Sequence, residues 1–175
     1  RKIGLDLIIS DHHHPATELP GCTAVINPKQ PACSYPEKDL AGVGLAYKLA
    51  SALFERLGLP EGDSAGADAY LDLVALGTVA DLAPLTGENR ALVREGIKQL
   101  RQSRRQGILS LIGVAGVKSP QLSATDIGFM LGPRLNAAGR LESAMAALNL
   151  LLTSDLWEAG RLAQQLNNQN YDRQV

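Results

Sequence analysis

Asp11-His12-His13-His14-Pro15 gathers all three histidines of the chain behind one carboxylate. Imidazole and carboxylate are good ligands for divalent ions, so this clustering points to a metal site. Adjacent side chains on an extended segment point to opposite sides, so one histidine could ligate an ion while its neighbour faces substrate. A cloning tag, a polar surface loop and helix-capping residues are the plainer alternatives. Asp81 is the second candidate. It ends the apolar stretch Gly77-Thr-Val-Ala-Asp81 and is followed by Leu82-Ala-Pro-Leu85. A carboxylate in such company needs a partner, a metal, or exposure in the turn before Pro84. Asp68 and Asp72 read as a solvated helix face.

Two basic features could hold polyanions. Gly132-Pro-Arg-Leu-Asn-Ala-Ala-Gly-Arg-Leu141 sets Arg134, Asn136 and Arg140 among small residues that allow close backbone approach. It reads either as a phosphate-binding loop or as a helix–helix turn with exposed arginines. Arg90, Arg94, Lys98, Arg101 and Arg105 step by three or four along one predicted helix face, with Arg104 beside them. Like charges at this spacing repel by a few tenths of a kcal/mol per pair. Most such stripes are simply solvated, but a nucleic acid would relieve the repulsion. Glu95 offsets little of it.

The elements that must position these residues follow from periodicity. Residues 5–10 form an apolar, β-branched run that predicts a buried strand. The histidines then fall just past its C-terminal end, where open α/β sheets place ligands. Residues 23–26 predict a second strand, stopped at Asn27-Pro28. Helices are predicted over residues 40–57, with Leu45, Leu49, Leu53 and Leu57 on one face, and over 67–79, largely apolar and buried. Further helices follow over 88–104, 107–113, 123–131, 141–152 and 155–173. Ser123 and Asp126 form a capping-box pattern, and Gly132-Pro133 should interrupt the helix that they start. Strands first and helices after predict an α/β fold: a small, mainly parallel sheet under many covering helices. Two strands are few for such a sheet, so others are expected upstream of Arg1 or are hidden in the pattern.

Composition agrees. Among 175 residues, 29 are Leu and 23 Ala, while aromatics are only 4%, which favours helix. No apolar run is long enough to span a membrane and no signal peptide is legible. Cys22 and Cys33 read as reduced thiols of a cytoplasmic protein. The net charge of −1 hides a partition: −5 over residues 1–85, +6 over 86–140 and −2 over 141–175.

Taken in order, these segments resemble the DHH phosphoesterase superfamily, and within it the RecJ-like single-strand-specific 5′→3′ exonucleases. Asp11-His12-His13 after an apolar strand is similar to the signature of the superfamily. Gly77–Asp81 with Pro84-Leu85 is similar to a later motif. Asn27-Pro28 and Ala41-Gly-Val-Gly44 resemble the stretch between them. Residues 132–141 match a RecJ-type segment, and residues 166–174 resemble the start of a long interdomain helix. The resemblance implies two bound Mn²⁺ or Mg²⁺ ions and phosphodiester hydrolysis. It implies His12, His13 and Asp81 as metal ligands, with Asp11, His13 and Arg140 catalytic and Asp11 orienting an imidazole. Arg140 and Asn136 would hold DNA phosphates, with Arg134 a weaker candidate, and Arg94, Lys98 and Arg101 would extend the DNA track. His14 gains no role. The implied partner is single-stranded DNA, with a single-strand-binding protein or helicase beside it and no membrane.

The family's upstream acidic motifs and its second domain are missing. Residues 1–154 are therefore expected to be part of a DHH domain, and 155–175 the start of the linking helix. Such a piece should bind metal poorly and have little nuclease activity. A small-substrate DHH enzyme (nanoRNase, cyclic-dinucleotide phosphodiesterase or pyrophosphatase) and a non-catalytic replication scaffold are the alternatives.

Overall fold

The computed structural model describes residues 4–59, 66–141 and 144–173, with the side chains of 138–141 outside that description. Two short strands, β1 (Ile8–Ser10) and β2 (Ala24–Ile26), pair in parallel, with Ile8 opposite Ala24 and Ser10 opposite Ile26. Among the described residues eight α-helices follow: α1 (Gly42–Leu57), α2 (Leu71–Ala80), α3 (Gly87–Arg101), α4 (Gln106–Val114), α5 (Ala124–Asp126), α6 (Gly132–Leu141), α7 (Met145–Leu152) and α8 (Leu156–Asp172). This is the expected helix-rich α/β arrangement around a small parallel sheet.

The core sits among the helices. Its larger part joins α2, α3, α4, α7 and α8 through residues such as Val79, Leu100, Leu111, Leu150 and Leu166. A smaller cluster of Leu40, Leu45, Leu71, Val74 and Leu92 fastens α1 to α2 and α3. Helix α2 is apolar on all sides, and seven of its residues are buried. That is the pattern expected of a helix surrounded by others. It is the pillar that ends at Asp81.

Several expectations are corrected. The first strand is not buried: Leu5, Leu7 and Ile8 are exposed, because the described helices do not cover that side of the sheet. Along α1 the exposure rises from 7% at Leu45 to 37%, 51% and 66% at Leu49, Leu53 and Leu57, so only its N-terminal part, as far as Tyr47, reaches the core. Helix α3 stops at Arg101, short of residue 104. Arg105 therefore leaves the stripe and turns inward to Asp72, with its Nε 2.9 Å from Oδ2. Asp72 is buried rather than solvated, at 4% exposure.

Gly132-Pro133 does not interrupt the chain's helical path. Residues Ile127–Leu131 form one π turn that runs from α5 into α6. A proline ring clashes with the carbonyl four residues before it and lacks an N–H. A wider π turn at that point accommodates both defects. The segment 132–141 is accordingly a helix, neither the loop nor the turn expected. The Ser123–Asp126 capping box is present as predicted.

Candidate metal centre and active site

Asp11 leaves the end of β1, and its backbone N–H donates to the Ile26 carbonyl at 3.1 Å. Its Oδ1 accepts three hydrogen bonds, from the His12 N–H (2.8 Å), the His13 N–H (3.2 Å) and the His13 Nδ1 (2.7 Å). The His13 ring bond, followed by the His13 N–H, holds the Asp11 carboxyl below its ordinary range. These bonds fold the chain, so it is not extended at this point. The His12 and His13 rings consequently stand side by side, 4.2 Å between centroids, instead of on opposite sides. A carboxylate can only accept, so in a neutral His13 imidazole the proton sits on Nδ1 and Nε2 carries the lone pair that a metal needs.

The second strand and two helices complete the centre. Asn27, at the end of β2, is 3% exposed, and its Nδ2 donates to the His13 carbonyl at 2.9 Å. Asp81 caps α2, and its Oδ2 lies 3.6 Å from His12 Nδ1. Leu82 then adopts a left-handed backbone at φ 59° with its side chain exposed. Such conformations cost free energy in a residue with a Cβ and concentrate at functional sites. Gly42 opens α1 against His12, where a Cβ would come within 3.3 Å of the imidazole Cδ2. A cleft of about 340 Å³ lies over the three histidines, Lys29, Asp39, Asp81 and Leu82. A larger one of about 880 Å³ runs from His12 and Asp81 past Gly42 to Asn136.

The donor set fits a divalent ion. One ligand atom from each of Asp11, His12 and His13 lies within 4.8 Å of the others. Donors around one ion with bonds of about 2.2 Å lie up to roughly 4.4 Å apart, so small side-chain adjustments close the set. Mixed nitrogen and oxygen donors suit Mn²⁺ better than Mg²⁺, which prefers oxygen alone.

The structure brings Asp11, His12, His13 and Asp81 into one centre and places Asn136 beside it, where its Nδ2 lies 3.4 Å from the Ala80 carbonyl. Arg134 is tied into the fold: Nε donates to Asn167 at 2.9 Å and Nη1 to the Met130 carbonyl at 2.5 Å. Its burial holds its pKa down. Arg140 is in α6, but its side chain is outside the described residues. In α3, Glu95 bridges Arg94 (2.9 Å) and Lys98 (2.6 Å), so it offsets more repulsion than its single charge suggested. Arg101 Nε donates to the Leu122 carbonyl at 2.9 Å. Sequence reasoning missed Asn27 as a brace and Lys29 and Asp39 as cleft residues. The available signal was that Asn27-Pro-Lys follows a strand beside the one that carries the histidines.

The DHH family, N-terminal domain, matches residues 1–78. The single-stranded-DNA-specific exonuclease RecJ of Bacillus subtilis is 45% identical over 174 residues, which are 99% of this chain and 21% of that protein. The same enzyme of Escherichia coli is 42% identical over 183 residues, covering 99% of this chain and 31% of its own length. The crystal structure of RecJ from Thermus thermophilus in complex with Mn²⁺ superposes with a TM-score of 0.84 at 40% identity, over 99% of this chain and 25% of that one. The Mg²⁺ complex of RecJ from the same source gives a TM-score of 0.74 at 42% identity, over 86% and 23%. The chain thus spans about a fifth to a third of the length of the relatives it matches.

Proposed function

This chain belongs to the DHH family, and from that premise we propose that it is the histidine-bearing part of a metal-dependent exonuclease that hydrolyses single-stranded DNA from its 5′ end. One observation carries the reading: Asp11, His12, His13 and Asp81 converge at the ends of β1 and α2, in a chain 45% identical to a RecJ exonuclease over 99% of its length. In this reading residues 1–154 are part of a DHH domain, and α8 begins the helix towards a second domain.

His12, His13 and Asp81 hold divalent ions, Mn²⁺ or Mg²⁺. When bound, such ions lower the pKa of a water molecule and neutralise charge on a phosphate. Asp11 fixes the His13 imidazole so that Nε2 faces the ion. Asn136 and Arg140 hold DNA phosphates along the larger cleft. Arg134 stiffens the junction of α6 with α8 and is a weaker candidate for a phosphate contact. Arg94, Lys98 and Arg101 form a peripheral track. The substrate is single-stranded DNA in the cytoplasm, delivered by a single-strand-binding protein or a helicase.

The test uses the full-length protein with 5′-labelled single strands, duplexes, dinucleotides and pyrophosphate, in Mn²⁺. The expected result is stepwise release of nucleotides from the 5′ end of single strands only, abolished by a chelator and by His12→Ala. Faster hydrolysis of dinucleotides or pyrophosphate would replace this reading with the small-substrate one.

A further inference from the structure

We propose that Lys29 is a further catalytic residue of this centre: its ammonium binds a non-bridging oxygen of the phosphodiester being cut and stabilises the negative charge that develops there. The proposal rests on the phosphodiesterase reading above.

Three lysines lie between β2 and the middle of α1, and two have settled structural partners. Lys38 Nζ donates to the carbonyls of Pro28 (3.0 Å) and Cys33 (2.7 Å). Lys48 Nζ donates to Glu88 Oε1 at 2.7 Å. Lys29 differs. Its ion pair with Asp39 spans 3.8 Å, beyond hydrogen-bond distance, and its side chain is only 20% exposed. It faces the cleft that holds His12, His13 and Asp81, and is the one Lys or Arg among the described residues there.

Its backbone is anchored from behind. The Asn27 carboxamide accepts the Lys29 N–H at 2.9 Å through Oδ1 and donates to the His13 carbonyl at 2.9 Å through Nδ2. One buried amide therefore sets the spacing between the histidine segment and the lysine. An ammonium on an anchored backbone, its side chain only 20% exposed and free of a hydrogen-bonded carboxylate, suits charge that appears only in the transition state. A compact ammonium suits contact with one oxygen, whereas a bidentate clamp would call for Arg.

The test compares Lys29→Gln and Lys29→Arg with the wild type in the full-length protein. Lys29→Gln should lower kcat on single-stranded DNA on the order of 10²–10³-fold, with little change in KM. Lys29→Arg should restore part of that loss. Mn²⁺ titration and thermal unfolding should be unchanged in both. Near-normal kcat in Lys29→Gln, or a loss matched by weaker Mn²⁺ binding or unfolding, would overturn the proposal. An inactive wild type would defeat the nuclease reading separately. Lys29 is then still tested by amine acetylation read by mass spectrometry: a phosphorothioate-linked single strand with Mn²⁺ should shield Lys29 and leave exposed Lys118 reactive. Equal labelling of Lys29 with and without the strand would overturn its contact with phosphate.

Discussion

Asp11 Oδ1 does two things at once: it gathers the N–H groups that turn the chain after β1, and it fixes the His13 ring. Removing an outer partner of a metal-bound histidine typically costs 10–100-fold in affinity or activity, and Asp11→Asn should do so in the full-length protein, read by Mn²⁺ titration and initial rates. Unaltered values would show that His13 needs no orienting group. A second group of residues supports pH-dependent stability. Burial alone would raise Glu88, but the Lys48 ammonium and the Tyr35 hydroxyl outweigh it, and its carboxyl lies below the ordinary value. The hydrogen bond to Glu88 raises Lys48, and burial raises Tyr35. A lowered acid stabilises the fold above its ordinary value, near 4.3, and loses that contribution as pH falls through the lower folded value. Raised Lys48 and Tyr35 contribute fully below about 10 and lose it as pH climbs through their folded values. Thermal melting against pH should therefore show a plateau with a fall on each side. Glu88→Gln should flatten the acid limb, and an unchanged acid limb would remove Glu88 from the account.

At the scale of elements, helix contacts decide stability. Gly107 opens α4 directly against the Leu150 carbonyl of α7, and a Cβ there would collide with that backbone. Overpacking costs typically 1–3 kcal/mol and more where backbone must move, so Gly107→Ala should lower the melting temperature by several degrees or more. The Arg105–Asp72 pair ties α2 to the start of α4, and Arg105 also donates to the Ala69 carbonyl at 2.9 Å. Breaking a buried pair costs about 3–5 kcal/mol, and Arg105→Ala should approach the lower figure because Arg105 is a third exposed. A urea-melt loss below about 1 kcal/mol would class the pair with surface bridges. These contacts mark the limit of sequence reading. Helical spans, the Ser123 cap and the placement of the histidines after a strand were legible, because each rests on spacing within a few residues. The burial of Asp72 was not, because its partner is 33 residues away. Nor was the π turn before Pro133, since the sequence signals a break there without saying how neighbouring helices hold the chain through it.

For the whole molecule, the partition of charge gains a structural meaning. The acidic block carries the histidine centre, while the basic block carries α3 and α6. Much of the basic charge is internally bound, through Glu95, Asn167 and the carbonyls of Met130 and Leu122. Replacing Arg94, Lys98 and Arg101 with Ala in the full-length protein should thus reduce the salt slope of single-strand binding by less than the roughly 0.7 per residue that three full phosphate contacts would give. A slope that does not move returns α3 to a solvated face. The centre itself sets the last expectation. His12, His13 and Asp81 are three ligands at an open cleft, with Asp11 behind them orienting His13, and two ions of the Mn²⁺ class need about six ligands each, with waters making up only part. The exposed Leu49, Leu53, Leu57 and Ile8 add apolar surface that favours association. The isolated 175-residue chain should therefore bind Mn²⁺ weakly by calorimetry, self-associate in sedimentation, and release little nucleotide from single-stranded DNA under conditions where the full-length protein is active. Strong Mn²⁺-dependent exonuclease activity from the isolated chain would mean that these three ligands suffice, and that the additional carboxylates expected from the family resemblance are dispensable.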